Sequence, residues 1–195
     1  AKRAAARERW QPFVDRVLSA LDDRHVLLSS FSEGALAAVR ERTADVELAP
    51  ICREFGTGRE LAARHDADAI HPSLAALRAA DPDAVAATRD AGRTINAWTV
   101  RTWVEARDAV RAGADGLVVS NHGGRILDEQ PGTAEVLPEI VDEVGNEITV
   151  LVDGGIRSGV DVFKCLALGA DSVLIGRPVM IAAVGAGAQG VSFYL

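Results

Sequence analysis

Short apolar stretches alternate with amphipathic ones along almost the whole chain, and this rhythm constrains the fold more than any other feature. His25–Phe31, residues 45–51, Ala67–His71, Thr94–Val100, Asp115–Ser120, Ile148–Val152 and Ser172–Ile175 are too short for ordinary helices and read as buried strands. Helices are expected over 1–22, where Trp10, Phe13, Val14, Val17, Leu18 and Leu21 recur at helical spacing, and over 32–43, 57–65, 81–91, 102–112, 133–144 and 158–168. An apolar, glycine-rich tail follows the last strand. Alternation of this kind gives right-handed βαβ units around a parallel sheet. The seven strands are one short of a closed (β/α)8 barrel, so the expected fold is α/β and TIM-barrel-like, with an incomplete barrel forming one domain over 1–195.

Several helices run into a glycine before the next strand, at Ala91-Gly92, Ala112-Gly113, Val144-Gly145 and Leu168-Gly169, where a left-handed residue would stop the helix. The strands in turn end in polar residues: Ser29-Ser30, His71, Thr99, Ser120-Asn121-His122, Asp153 and Gly176-Arg177. Functional groups collect at that end of the strands in a β/α barrel, and an open doubly wound sheet would also place its ligand there. The pattern therefore fixes the functional face and leaves closure of the sheet open.

The net charge of −7 argues against nucleic acid as a partner, because polyanion binding needs a basic face. No apolar run reaches the ~18 residues of a membrane span, and the first twenty residues are charged rather than signal-like. Cys52 and Cys165 lie far apart in apolar stretches and read as buried, reduced thiols, consistent with a cytoplasmic protein. They form no metal-ligand spacing, and no metal is expected.

Three motifs at successive strand ends carry the chemistry. The first is Ser120-Asn121-His122-Gly123-Gly124-Arg125-Ile126-Leu127-Asp128. An imidazole at a strand mouth can act as general base, and the arginine three residues on can grip a carboxylate in bidentate fashion. The second runs Asp153-Gly154-Gly155-Ile156-Arg157 into the next helix, where backbone amides and the helix N-terminus favour an anion that Arg157 would reinforce. The third is Ile175-Gly176-Arg177-Pro178. Glycine and arginine at both of the last two strands describe a phosphate site of the kind found near the final strands of many barrels. Singly, each motif also reads as a plain turn or a solvated charge; their succession, one helix apart, favours a site.

On these motifs, together with Asp161-Val-Phe-Lys-Cys-Leu-Ala-Leu-Gly-Ala170, the stretch 102–191 resembles the C-terminal part of the FMN-dependent α-hydroxy-acid oxidases and dehydrogenases. The resemblance implies FMN as cofactor and a small 2-hydroxy acid as substrate. It implies His122 as the base that takes a substrate proton, with Arg125 on the substrate carboxylate. Asp153, Gly154, Gly155, Arg157, Gly176 and Arg177 would surround the ribityl chain and phosphate. It also implies a lysine on the strand before the His122 motif, near the flavin ring, but Ile95-Asn-Ala-Trp-Thr-Val100 has none. The family's tyrosines and second substrate arginine have no evident counterpart, and the only tyrosine is Tyr194.

Residues 10–100 instead resemble the later part of the glycerophosphodiester phosphodiesterases, through Val26-Leu-Leu-Ser-Ser-Phe31, Ala67-Asp-Ala-Ile-His-Pro72 and the run from Val85 to Trp98-Thr-Val100. That family's catalytic histidine pairs and metal-binding carboxylates are missing, so no phosphodiesterase activity is expected. Of that site only Trp98 would remain, and barrel packing is its favoured reading. Both resemblances imply (β/α)8 barrels, and together they describe a chimeric barrel of four units from one source and three from another. An unclosed sheet exposes strand edges and invites homo-oligomer formation. The expected function is an FMN-binding, α-hydroxy-acid oxidase-like domain with turnover impaired or absent, or alternatively an inactive barrel scaffold that still binds phosphate or sulfate.

Overall fold

A computed structural model describes residues 2–21, 25–125 and 129–194. Seven strands form: β1 (Leu27–Ser30), β2 (Glu47–Cys52), β3 (Ala69–Pro72), β4 (Thr94–Val100), β5 (Gly116–Val119), β6 (Thr149–Val152) and β7 (Ser172–Val173). All neighbouring pairs are parallel and the spatial order is the chain order. A doubly wound sheet reverses its strand order at a switch point. This sheet never does, so it curls in one direction as a partial barrel, with β1 and β7 as its two ends.

The helices are α1 (Lys2–Leu21), α2 (Glu33–Arg40), α3 (Phe55–Arg64), α4 (Leu74–Arg78), α5 (Pro82–Asp90), α6 (Trp103–Arg111), α7 (Thr133–Val144), α8 (Gly159–Ala167) and α9 (Arg177–Tyr194). Side chains anticipate several of the starts. Ser32, Ser73, Asp81, Thr102 and Ser158 each cap a helix by accepting a hydrogen bond from a backbone N–H two or three residues on. Gly92, Gly113 and Gly169 take the expected positive φ after their helices, whereas Gly145 stays right-handed at φ −62°. Two helices depart from the sequence expectation. The short α4 rests on its Ser73 cap and the burial of Leu74 and Leu77. The apolar tail is helical as α9, broken at Ala186-Gly187, because Val179, Ala182, Ala183 and Val191 pack against Phe13 and Ala20 of α1. Helix α1 thus touches α2 on one side and α9 on the other, and links the first unit of the sheet to the last.

The core lies on both sheet faces, as a parallel sheet under helices requires. Leu48, Ile70, Ile95, Leu117, Val119, Val150 and Val152 are fully buried, each contributing about 1.5–3 kcal/mol of apolar transfer. At the end opposite the motifs, one device repeats. Asp68, Asp115 and Asp171 each stand just before a strand. Each carboxylate accepts a backbone N–H of the preceding strand, from Leu48 at 2.8 Å, Ile95 at 3.0 Å and Val150 at 2.7 Å respectively. In every case the aspartate's own N–H donates to the carbonyl of that same residue. These clamps fix strand register in the first half of the chain and in the second alike. They hold the bottom of the sheet and leave its top free for chemistry. Asp115→Ala would strand the Ile95 N–H in a dry environment. It is expected to cost about 1–3 kcal/mol in urea unfolding, while a surface change such as Asp83→Ala costs under about 0.5.

A buried polar pair crosses β3 and β4. His71 Nε2 and Asn96 Nδ2 lie 3.1 Å apart, and the Trp98 indole N–H donates to the His71 carbonyl at 2.7 Å. Burial pushes the His71 imidazole down to about 4. Between the ordinary histidine value near 6.5 and 4, the unfolded chain binds a proton that the folded chain refuses. The contribution of this group to stability is therefore complete above about pH 6.5 and declines as pH falls toward 4, by roughly 3 kcal/mol in all. Comparison of urea unfolding at pH 7 and 4.5 checks this. His71→Gln is expected to reduce the acid loss by roughly 2–3 kcal/mol, and an unchanged loss would assign the acid sensitivity elsewhere.

Candidate functional site

Three turns, at the upper ends of β5, β6 and β7, build the site. The β5 turn is tight. His122, Gly123 and Gly124 have successive φ values of 56°, 67° and 73°, a left-handed run that is unusual for a residue with a side chain such as His122. Side chains at the end of β5 hold it there. Ser120 Oγ accepts the His122 N–H at 3.1 Å, and Asn121 Oδ1 accepts the N–H groups of Gly123 and Gly124 at 2.9 and 3.2 Å.

The same two residues tie the β5 turn to the β6 turn. Ser120 Oγ donates to Asp153 Oδ2 at 2.9 Å, so one hydroxyl orients both the His122 backbone and the Asp153 carboxylate. Gly154, at φ 104°, passes directly under Asn121. A Cβ there would stand 2.9 Å from Asn121 Oδ1 and 3.4 Å from Thr133, whose hydroxyl donates to the Gly154 carbonyl at 3.2 Å. Beyond Gly155, Ser158 caps α8, and Asp161 accepts from the Ser158 hydroxyl and the Arg157 N–H. Those bonds hold the Asp161 carboxyl below its ordinary range. The β7 turn closes the group, because Arg177 Nη2 donates back to the Gly123 carbonyl at 3.3 Å.

A cavity of about 740 Å³ opens between these turns, and every site residue expected from the sequence lines it: His122, Arg125, Asp153, Gly154, Gly155, Arg157, Gly176 and Arg177. The remaining motif positions Ile126, Leu127 and Asp128 lie outside the described residues. Elsewhere in the molecule Arg40, Arg42, Arg64, Arg78, Arg89, Arg101, Arg107 and Arg111 pair with carboxylates. Arg125, Arg157 and Arg177 form no ion pair among the described residues. Three guanidiniums thus line one hollow whose described lining residues include a single carboxylate, Asp153, which Ser120 already engages. Such a hollow attracts an anion with several acceptor oxygens.

Sequence reasoning set Tyr194 aside, yet it reaches this cavity from the end of α9. Its hydroxyl is buried and has no hydrogen-bond partner among the described residues. Only the fold of the tail brings it there. Ser120, Asn121 and Thr133 were also missed as supports, although a serine and an asparagine ending a strand before His-Gly-Gly are a usable signal for a side-chain-bonded turn. On its other side His122 meets β4. Its Nε2 is 3.4 Å from Thr99 Oγ1, and its ring lies edge-on to Trp98, 6.1 Å between centroids. Phe31 stands edge-on to the same indole at 5.4 Å. A smaller cavity on that side, of about 380 Å³, is lined by Trp98, Thr99 and Asn121, with Arg78 and Arg101 held by Asp108 and Glu105. Cys52 and Cys165 are buried free thiols, and burial pushes Cys52 up to about 11. The described residues contain no cluster able to ligate a metal, and no described helix is long and apolar enough to cross a membrane.

The sequence profile described as FMN-dependent dehydrogenase matches residues 62–195. An L-lactate dehydrogenase of Acinetobacter baumannii is 57% identical over 88 residues, 45% of this chain and 23% of that protein. A peroxisomal (S)-2-hydroxyacid oxidase of Arabidopsis thaliana is 54% identical over 92 residues, 47% of this chain and 25% of that protein. The chain therefore aligns with about a quarter of the length of these curated relatives. Among solved structures, a lactate oxidase of Pediococcus acidilactici superposes with TM-score 0.77 at 26% identity, covering 94% of this chain and 62% of that one. A mandelate oxidase structure with benzoyl-formic acid superposes with TM-score 0.74 at 32% identity, covering 94% and 64%. The profile begins well inside the stretch 10–100 for which a phosphodiesterase origin was expected, and none of these findings supports that expectation. With a matching profile over most of its length and the matching partial barrel, the chain belongs to the FMN-dependent dehydrogenase family.

Proposed function

We propose that the chain binds FMN with the phosphate between the β6 and β7 turns, and that His122 and Arg125 serve a small 2-hydroxy acid beside it. The observation that carries this reading is the cavity itself: around one hollow stand three guanidiniums without an ion pair and the Tyr194 hydroxyl without a hydrogen-bond partner, both among the described residues, and the unobstructed Gly155 turn. These groups suit a dianion. Arg157 and Arg177 would hold the phosphate, the Gly155 backbone would approach it closely, and Asp153 would accept from a ribityl hydroxyl. Bound FMN would supply the two-electron acceptor that the side chains here lack.

His122 would then take the proton of the substrate hydroxyl, with Arg125 fixing the carboxylate so that the reacting carbon is presented in one orientation. Low turnover, or none, belongs to the same proposal. The β4 strand offers Trp98 and Thr99 to the neighbourhood of His122 and no lysine. The domain proposed is a single barrel-like unit over 1–195. Self-association is supported by the β1 and β7 edges, which have no partner strand among the described residues. A cytoplasmic location is supported by the two buried free thiols.

Titration with FMN, followed by absorbance and by quenching of flavin fluorescence, tests the reading. Arg157→Ala and Arg177→Ala are each expected to weaken binding about 10- to 100-fold, the loss of one charge-assisted phosphate contact, with unchanged circular dichroism. Binding of phosphate or sulfate without FMN would favour the inactive scaffold instead. Where flavin binds, anaerobic mixing with L-lactate or mandelate reads the chemistry. His122→Gln is expected to slow flavin bleaching by at least about 100-fold while leaving flavin affinity within a few-fold. Equal bleaching in the variant would remove His122 from the reaction.

A further inference from the structure

We infer that Arg177 is a positioning residue for His122, coupling an anion in the cavity to the turn that carries the imidazole. The inference rests on the anion-site reading above and assigns Arg177 a second task within it. Three observations support it. First, the His122-Gly123-Gly124 run is left-handed throughout; the two glycines adopt this freely, but at His122 it persists only where neighbours impose it. Its N–H groups are held by Ser120 and Asn121, both from β5's own end. From another turn of the cavity, Arg177 Nη2 donates to the Gly123 carbonyl at 3.3 Å. Second, the fit is close. A Cβ built on Gly123 would collide with Arg177 Nη2, so the guanidinium lies directly on the turn. Third, Arg177 lines the same cavity as Arg157 and Arg125.

A guanidinium carries five N–H donors in a rigid plane, and one of them on Gly123 leaves the rest to face an anion. Because the plane is rigid, an anion that immobilises one edge immobilises the other. The Gly123 carbonyl, and the His122 backbone one residue before it, are fixed with it. A lysine has no such fork and holds one of the two partners at a time. Arg177 therefore conveys occupancy of the phosphate site to the imidazole, and His122 is best ordered when the anion is present.

The test is phosphate titration of protein carrying isotope-labelled histidine. The ring resonances of His25, His65, His71 and His122 are followed by NMR, and His122 is assigned through His122→Gln. Inorganic phosphate is the ligand, and calorimetry reports its binding separately. In the unaltered protein the His122 ring signals are expected to shift and sharpen with the calorimetric midpoint, while those of buried His71 stay in place. In Arg177→Lys, phosphate is expected to bind about 10-fold more weakly, and at saturation the His122 response is expected to be lost. Gly123→Ala, which displaces the guanidinium, is expected to lose it too.

A His122 response that survives in saturated Arg177→Lys would reveal a direct field effect of the anion and overturn the inference. So would a His122 signal that ignores phosphate in the unaltered protein while calorimetry shows it bound. Absence of any phosphate binding would instead reject the anion site. The anion-free spectra then decide the contact alone: His122 line widths and shifts must differ between the unaltered protein and Arg177→Lys, and identical spectra would overturn the inference.

Discussion

The hydroxyl of Ser120 is the point on which the site depends. It accepts from the His122 N–H and donates to Asp153, so a single small side chain at the end of β5 sets the imidazole's backbone and the carboxylate of the next turn together. Asn121 extends the same arrangement by holding two further amides of its own turn over Gly154. Arg177 completes it from the third turn. The β5, β6 and β7 turns are therefore one cross-braced unit, and the cavity is the space this bracing leaves. Arg125, Arg157 and Arg177 form no ion pair among the described residues, which leaves their charge available to a ligand.

The sheet beneath explains how such a unit keeps its shape in a barrel that does not close. Each of the aspartates before β3, β5 and β7 ties its strand to the one before it at the bottom, twice, through side chain and backbone. Helix α1 ties the two ends of the sheet at the sides, through α2 and α9. What these ties leave uncovered is apolar: Val160, Phe163 and Leu166 on α8, and Ile181 and Val184 on α9, remain exposed. Every strand pairs with its immediate predecessor, so each sheet pairing closes over a single βα unit, whereas the α1–α9 contact joins the two ends of the chain.

Much of this was legible in the sequence. Strand count, parallel order and the functional face follow from the alternation of short apolar runs with amphipathic ones and from the polar residues that end each strand. The eight expected site residues meet in one cavity because motifs at adjacent strand ends of a sequentially wound sheet cannot be far apart. The tail read differently. In sequence it is only apolar and glycine-rich, with no element assigned; burial of Val191 and Ala183 against α1 outweighs the modest propensity penalty of its glycines, and only that packing carries Tyr194 to the cavity. The Ala-Asp pairs at 67–68, 114–115 and 170–171 stood in plain view as a repeat, yet no local pattern says that each aspartate bonds to a strand about twenty residues earlier. Trp98 shows the reverse case: its position on the strand before the His122 motif was readable, while its edge-on packing between Phe31 and His122 was not.

A crystal structure of the protein grown with saturating FMN would show whether the braced turns hold the flavin phosphate. Phosphate density is expected between the Gly155 turn, Arg157 and Arg177, with guanidinium nitrogens within about 3 Å of its oxygens and the Gly123 contact of Arg177 preserved. An empty cavity at saturation, or a flavin phosphate seated elsewhere with Arg157 and Arg177 turned to solvent, would contradict it.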